Sequence, residues 1–364
     1  MKDNRIILTL DAGGTNFLFS AMQDGKEIVP PVHLSTDSSN LDVCINQLKT
    51  GFKKVIEQLD KAPSAISFAF PGPADYPKGI IGDLCNFPCF CGGVPLGPIL
   101  EEEFGIPVYI NNDGDLFAYG EALMGSLPQV NARLEAMGSN KRFHNLIGVT
   151  FGTGYGCGVV IDGNLLQGDN SAGGDIWCVR NKKYPELIVE ESVSIRAVKR
   201  VYAERSGDTS ERTPKDIFDI AEGLIPGNQE AARASFAELG EIAADTLTNA
   251  ITLVDGIVAI GGGLSGAAKY ILPALVDELN GSLGKFDGSR FPRLEVKAYN
   301  LNDESIWEEF ARGKETEIAI PGTDRKVIYD SMKRIGVMTT QLKTSQSIAM
   351  GAYVYALNQL DKKK

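Results

Sequence analysis

The sequence predicts an α/β protein of two related lobes, each a mixed sheet flanked by helices, with a cleft between them. Three observations lead there. At 364 residues the chain exceeds the size at which one hydrophobic core keeps growing. The order hairpin, helix, strand, helix, strand, helix occurs twice, and mixed order of that kind covers a sheet on its faces. Each half also sets glycine-rich turns directly after short apolar strands.

In the first half, IILTL (6–10), NFLFSAM (16–22) and EIVPPVHL (27–34) read as strands. Leu41, Ile45, Leu48, Phe52, Val55, Ile56 and Leu59 recur at helical spacing through 41–59. The apolar run AISFAF (65–70) stops at Pro71-Gly72-Pro73, a buried strand and its breaker. PLGPILEEEF reads as a helix and VYI (108–110) as a strand. DGDLFAYGEALMG then starts a helix with acids in its first turn, where the helix dipole favours them.

In the second half, NLIGVTF (145–151) and GCGVVID (156–162) form a hairpin around residues 152–156, with NLLQG as a third strand. NQEAARASFAELGEIAADTLTNAITLV is a long helix that buries Phe236, Leu239, Ile242, Leu247 and Ile251. The strand GIVAI (256–260) runs through GGGLSG into the helix AAKYILPALVDEL. LEVKAY (293–298) reads as a further strand and SIAMGAYVYALNQL (347–360) as the closing helix. The lobes are expected over residues 1–118, completed by a helix at 347–364, and over 119–346. Charged, irregular sequence at 301–345 reads as an insertion carrying a small strand or helix pair.

Apolar content of 43% and charged content of 23% suit a folded globular chain. Net charge is −11, and the only basic block is the lysine run 362–364, which argues against nucleic acid, whose phosphates demand clustered cations. No apolar run reaches membrane-spanning length, and MKDNRIILTLDAGG is too short and too early-charged for a signal peptide. A cytoplasmic protein with neither nucleic-acid nor membrane partner is expected.

The six cysteines are Cys44, Cys85, Cys89, Cys91, Cys157 and Cys178. In that compartment they are seldom paired, and the cluster CNFPCFC (85–91) lacks the second paired half and the histidine of a metal site. His33 and His144, the only histidines, leave little material for a histidine-based nucleophilic triad.

The three glycine-rich turns cover residues 11–16, 152–158 and 261–266. Glycine lets a backbone approach phosphate closely, and unpaired N–H groups in such turns form anion-binding concavities. One such turn is a weak signal, since hairpins and helix caps use glycine routinely. Three at corresponding points of a duplicated plan point to a polyphosphate. No G-x-x-x-x-G-K-[ST] occurs, so the chain is not a P-loop enzyme. Gly261-x-Gly263-x-x-Gly266 does fit the dinucleotide fingerprint, which makes an NAD-dependent dehydrogenase an alternative. Against it, the next strand ends in KAYN without an acid to hold a ribose, and two turns go unexplained.

Asp11 would repel phosphates unless a cation lay between them. Mg²⁺, held by a carboxylate through water together with nucleotide phosphates, resolves that conflict. Thr15 and Thr153 can add hydroxyl donors. The competing reading has Asp11 bonding its own turn backbone. Asp113 stands at a strand–helix junction, where a carboxylate can accept a proton from a hydroxyl that attacks a phosphoryl group. It can equally be a helix N-cap, a place that Asn112 or Asp115 could also fill.

DAGGTN, NNDGDLFAYGE, GVTFGTGYGCGVVIDGNL and AIGGGLSGAAKYILPALVDEL resemble, in order, the first phosphate, catalytic, second phosphate and adenosine motifs of the ROK sugar kinases, of the actin, Hsp70 and hexokinase superfamily. The resemblance runs from the first strand to GAYVYAL. It implies duplicated ribonuclease-H-like lobes and transfer of the γ-phosphoryl group from ATP, with Mg²⁺, to a hexose hydroxyl. ATP would meet Asp11, Gly13, Gly14, Thr15 and Asn16 in the first turn, Gly152, Thr153 and Gly154 in the second, and Gly261, Gly262 and Gly263 in the third, with Mg²⁺ near Asp11 through water. Asp113 would be the general base and Asn112 a sugar ligand.

CNFPCFCGGVPL resembles the family's sugar-binding loop and points to Asn86, and PGPADYPKG, with Gly72, resembles a loop lining the sugar pocket. SAGGDIWCVRN is similar to the family's A-G-E-I-G-H segment, with Asp175 in place of the sugar-binding Glu and Cys178 in place of the His. Glu190 in LIVEESVS corresponds to the Glu that closes the next motif. The family's zinc module needs that His and a C-x-C-G-x-x-G-C run, whereas this chain has KKYPELIV, so no structural zinc is expected. Asp for Glu shortens the ligand by one methylene, which can change which hydroxyl is read.

ROK repressors carry an N-terminal helix-turn-helix. Here the phosphate motif starts at residue 11, so a repressor is not expected. The family suggests a homodimer acting on a small-molecule sugar, the hexose left open among glucose, fructose, mannose, allose and N-acetylated hexosamines. A non-catalytic sugar or nucleotide sensor of the same fold is the remaining rival.

Overall fold

The computed structural model describes residues 3–12, 16–84 and 87–363. The chain divides into two compact units, one of residues 1–124, 164–174 and 342–364, the other of residues 125–163 and 175–341.

In the first unit the strand Ile7–Ala12 lies antiparallel to Asn16–Gln23 on one side and parallel to Ala65–Ala69 on the other, with Val108–Asn111 parallel beyond. Successive side chains of a strand point to opposite faces. Leu8 and Leu10 therefore join Phe17, Phe19 and Phe68 in a core with the helix Leu41–Ile56, while Ile7, Met22 and Ala65 pack with Tyr353 and Ala356 of the helix Thr344–Lys362. Helix Leu41–Ile56 begins at Asn40, whose side chain accepts the Val43 N–H at 3.1 Å. The run 27–34 is two short strands rather than one, Lys26–Glu27 and Val32–Ser35, both on Asn16–Gln23. Pro30 and Pro31 have no N–H to give the ladder and break it.

In the second unit the spatial order is Tyr155–Ile161, Leu146–Phe151, Ile257–Gly261, Arg334–Thr339, Lys297–Asn300. The first pair is antiparallel and the rest are parallel. This is again a hairpin followed by parallel strands, the order read twice in the sequence. Helices Ile195–Ser206, Pro214–Glu222, Gln229–Val254 and Ala268–Leu279 build one core with these strands.

Two expectations change here. The strand expected at 293–298 lies at Lys297–Asn300. Residues 301–345 contain the helix Trp307–Arg312 and a central strand, Arg334–Thr339, lying between Ile257–Gly261 and Lys297–Asn300. That strand is disguised by a buried arginine at its start. The Arg334 guanidinium pairs with Asp330 and donates to the carbonyls of Phe310 at 2.6 Å and Met332 at 2.9 Å, which offsets a charge that would otherwise be costly to bury, while its Nη2 has no hydrogen-bond partner among the described residues. Of the strands described within 301–345, the exposed hairpin Glu315–Ala319 with Lys326–Asp330 stands outside the six-stranded sheets.

The helix Asp113–Leu123 and the C-terminal helix Thr344–Lys362 cross with their backbones in contact. A Cβ at Gly351 would overlap the Leu116 carbonyl, and one at Gly120 would overlap that of Ser347. Beside the crossing the Ser347 hydroxyl donates to the buried Glu121 carboxylate at 2.5 Å. Among the described residues no helix is long and apolar enough to cross a membrane.

Replacing Gly351 by Ala forces these helices apart. Equilibrium urea unfolding is expected to show a loss of about 1–3 kcal/mol, the usual range for overpacking. Gly284→Ala, where a Cβ meets open space, is expected to stay within about 0.5 kcal/mol of the parent.

Candidate active site

The parallel strands of the first unit end together. Leu8, Ile66 and Val108 share one row of the sheet, so the strands finishing at Ala12, Ala69 and Asn111 terminate on one edge. Ligands of α/β proteins collect at such carboxyl ends, and four of the candidate residues stand there. Asp11 is exposed, and loss of hydration raises its pKa above the usual 3.8. With Thr9 and Ser20, whose hydroxyls share a hydrogen bond at 2.8 Å, it lines a cavity of 560 Å³ whose far wall includes Ile348 and Ala349. Gly72 follows Ala65–Ala69 in a turn tied to the neighbouring strand by the Phe70 N–H, which donates to the Asn111 carbonyl at 2.9 Å. The Tyr76 hydroxyl closes that turn on the Phe70 carbonyl at 2.9 Å.

Asn112 and Asp113 stand side by side at the start of the helix Asp113–Leu123. Asn112 is the N-cap, its Oδ1 accepting the Gly114 N–H at 2.8 Å. Asp113 is the first helical residue and its Oδ1 shares the same N–H at 2.9 Å. Its surface is open to water while protein fills much of the space around it, and that loss of hydration raises its pKa, against the pull of the Gly114 N–H. Behind this pair the buried Asn111 Oδ1 accepts from the Gln167 amide at 2.7 Å, and the Tyr355 hydroxyl donates to the Gln167 Oε1 at 3.2 Å. Gln167 carries no motif, and Tyr355, though within GAYVYAL, was not singled out by the sequence. Asn16, exposed, pairs with Ser35 in the first sheet. Gly13, Gly14, Thr15 and Asn86 lie outside the described residues.

In the second unit the turns after Leu146–Phe151 and Ile257–Gly261 are neighbours, because these strands run parallel with Thr150 beside Gly261. The turn at residues 152–154 is tightly fixed. The Gly152 N–H donates to the Gly154 carbonyl at 3.0 Å, and the Ile195 N–H to the Gly152 carbonyl at 2.8 Å. Glu190 Oε2 accepts the Tyr155 N–H at 3.0 Å, and Arg196 donates to the Thr153 carbonyl at 3.3 Å. The N–H groups of Thr153 and Gly154 and the Thr153 hydroxyl make no hydrogen bond with the described residues, which suits them to an anion.

Gly262 serves packing: its φ is 86° and a Cβ would overlap the backbone of Phe151. Gly263, exposed and facing open space, is free to approach a ligand. Arg196 was not singled out by the sequence, since nothing in its spacing marks it.

Asp175 and Cys178 are exposed, and the Cys178 thiol donates to the Asp175 carbonyl at 3.1 Å. The segment that follows folds back on itself, with the Asn181 N–H on Leu187 and the Val189 N–H on Val179. Its staple is the buried side chain of Asn181. The amide donates to Ser192 Oγ at 2.8 Å, and Oδ1 accepts the N–H groups of Lys183 at 2.9 Å and Tyr184 at 3.1 Å. Hydrogen bonds close the loop. Among the described residues no three His, Cys, Asp or Glu side chains gather in a way that could hold a metal ion.

The profile of the ROK family matches residues 7–305. A glucokinase from Parabacteroides distasonis is 63% identical, with 98% of each chain covered and a TM-score of 0.91. The N-acetyl-D-glucosamine kinase of Aliivibrio salmonicida is 26% identical over 308 residues, which are 79% of this chain and 93% of that one. A ROK family glucokinase from Streptomyces griseus, solved with glucose and AMPPNP, is 17% identical, covers 96% of this chain and 98% of its own with a TM-score of 0.59, and shares the fold.

Asp113 carries a pH signature of its own. A carboxyl whose folded pKa is raised makes the native state bind more protons than the unfolded chain, so its burden on stability appears as pH climbs from the ordinary value of 3.8 through the raised one. Asp113→Asn keeps an acceptor for the Gly114 N–H and loses the charge. It is expected to unfold at higher urea than the parent at pH 7, with the gap closing as pH falls below 4.

Proposed function

This chain belongs to the ROK family and is a sugar kinase, and on that premise we propose that it transfers the γ-phosphoryl group of ATP to a hydroxyl of D-glucose. The observation that carries the choice of sugar is the 63% identity to a glucokinase over 98% of the chain. N-acetyl-D-glucosamine is the second reading, favoured by the 26% identical relative. Within the family the G-x-G-x-x-G at 261–266 belongs to the adenosine motif, so the dehydrogenase reading has nothing left to explain.

The residues present suit these substrates. The unused N–H groups of Thr153 and Gly154 and the Thr153 hydroxyl take phosphate oxygens, and the open backbone at Gly263 admits the adenosine. Asp11, an exposed carboxylate at a strand end, holds Mg²⁺ through water. When bound, that ion neutralises charge on the phosphates.

Asp113 is the proton acceptor. Three features support it: Asn112 has taken over the cap, the carboxylate is open to water, and its raised pKa brings it nearer to the proton it must hold. As the sugar oxygen forms its bond to phosphorus, its proton passes to Asp113 and the bond to the ADP oxygen breaks. Asn112, Asp175, Glu190 and the Gly72 turn supply sugar contacts, with Asn86 proposed on the same footing.

Purified protein assayed with ATP and Mg²⁺ on glucose, N-acetylglucosamine, N-acetylmannosamine, mannose, fructose and allose is expected to turn over glucose with the highest kcat/KM. Excess EDTA is expected to abolish turnover. Asp113→Asn is expected to lower kcat by about 10²–10⁴-fold while nucleotide affinity changes little. Absence of turnover on every sugar would favour a sensor, and a fully active Asp113→Asn enzyme would remove the base assignment.

A further inference from the structure

The geometry points to a task for two residues outside the glycine turn: we propose that Arg196, acting with Glu190, is a positioning residue that presets the 152–155 turn for a phosphate. The proposal rests on the reading of the chain as an ATP-using kinase.

Among the described residues, every hydrogen bond that reaches this turn from outside comes from the short stretch 190–196. Glu190 holds the Tyr155 N–H, the Ile195 N–H holds the Gly152 carbonyl, and Arg196 holds the Thr153 carbonyl. What is left over is the adjacent pair of N–H groups at Thr153 and Gly154. A free peptide turn would have to be ordered by the ligand it binds, at a cost in affinity. Here the ordering is done beforehand. Gly154 belongs to the same device. A Cβ there would stand 2.7 Å from Glu190 Oε2, so this glycine admits the carboxylate that fixes the turn.

The charges make Arg196 the decisive member. Its guanidinium donates to Glu190 Oε1 at 2.9 Å and to Glu191 Oε1 at 2.7 Å while reaching the Thr153 carbonyl. Two carboxylates close to an anion-binding turn would repel phosphate. One cation spread over both offsets that field and keeps Glu190 in register with Tyr155. The planar guanidinium reaches several acceptors at once, which a lysine ammonium on a flexible stem does less well.

The test compares wild type, Arg196→Met and Arg196→Lys by calorimetric titration with Mg–AMPPNP and, separately, with D-glucose. Deuterium uptake across residues 152–156 is measured in the ligand-free proteins. Arg196→Met is expected to weaken AMPPNP about tenfold or more and glucose clearly less, with faster uptake across the turn, while Arg196→Lys recovers part of the affinity. Unchanged AMPPNP affinity in Arg196→Met would overturn the proposal. So would an equal loss for both ligands together with a lowered melting temperature, which is what a merely structural arginine predicts. Wild-type protein that binds AMPPNP but phosphorylates no sugar would sink the proposed activity and leave the Arg196 comparison to decide this pair.

Discussion

The close crossing of the helices Asp113–Leu123 and Thr344–Lys362 is the constraint on which the first unit depends. Two glycines, 120 and 351, let the backbones meet, and the hydrogen bond between the buried Ser347 and Glu121 fixes the meeting point. Asp113 is the first residue of one helix, and the other helix covers the sheet from which Asp11 projects. A candidate proton acceptor and a candidate metal carboxylate thus take their positions from one junction of small side chains. Tyr355, on the same C-terminal helix, adds the Gln167 bridge to Asn111.

Glycines that look alike in a motif do different things here. Gly154 makes room for a carboxylate, Gly262 for the backbone of Phe151, and Gly263 for nothing within the protein. The motif at 152–156 is therefore half a candidate ligand site and half a socket for Glu190. A carboxylate that the family resemblance assigns to the sugar also steadies the neighbouring turn through Tyr155. Both uses are compatible, because each carboxylate oxygen can accept more than one hydrogen bond.

Much of this was legible because it is local. The helical spacing from Leu41 to Val55, the two hairpins and the order of elements in each half all follow from patterns a few residues long. The strand Arg334–Thr339 was not legible. Its leading arginine pairs with Asp330 and donates to the carbonyls of Phe310 and Met332, and that arrangement exists only in the fold. Arg196, Gln167 and Asn181 escaped for the same reason, since each acts through partners distant in sequence or on backbone atoms with no signature. Which of residues 112 and 113 holds the cap position needed coordinates as well. Both residues can cap a helix, and only geometry shows Asn112 doing so.

The first unit is assembled chiefly from residues 1–124 and 342–364, with residues 164–174 added, whereas the second comes from the stretches between them. On the ribosome, Ile7, Met22 and Ala65 emerge early and have no cover until Tyr353 and Ala356 follow, almost three hundred residues after Ala65. The second unit can therefore complete its core while the first still exposes an apolar sheet face. A nascent chain interrupted anywhere before the last helix would carry the aspartate without its platform and a sticky surface in place of an enzyme.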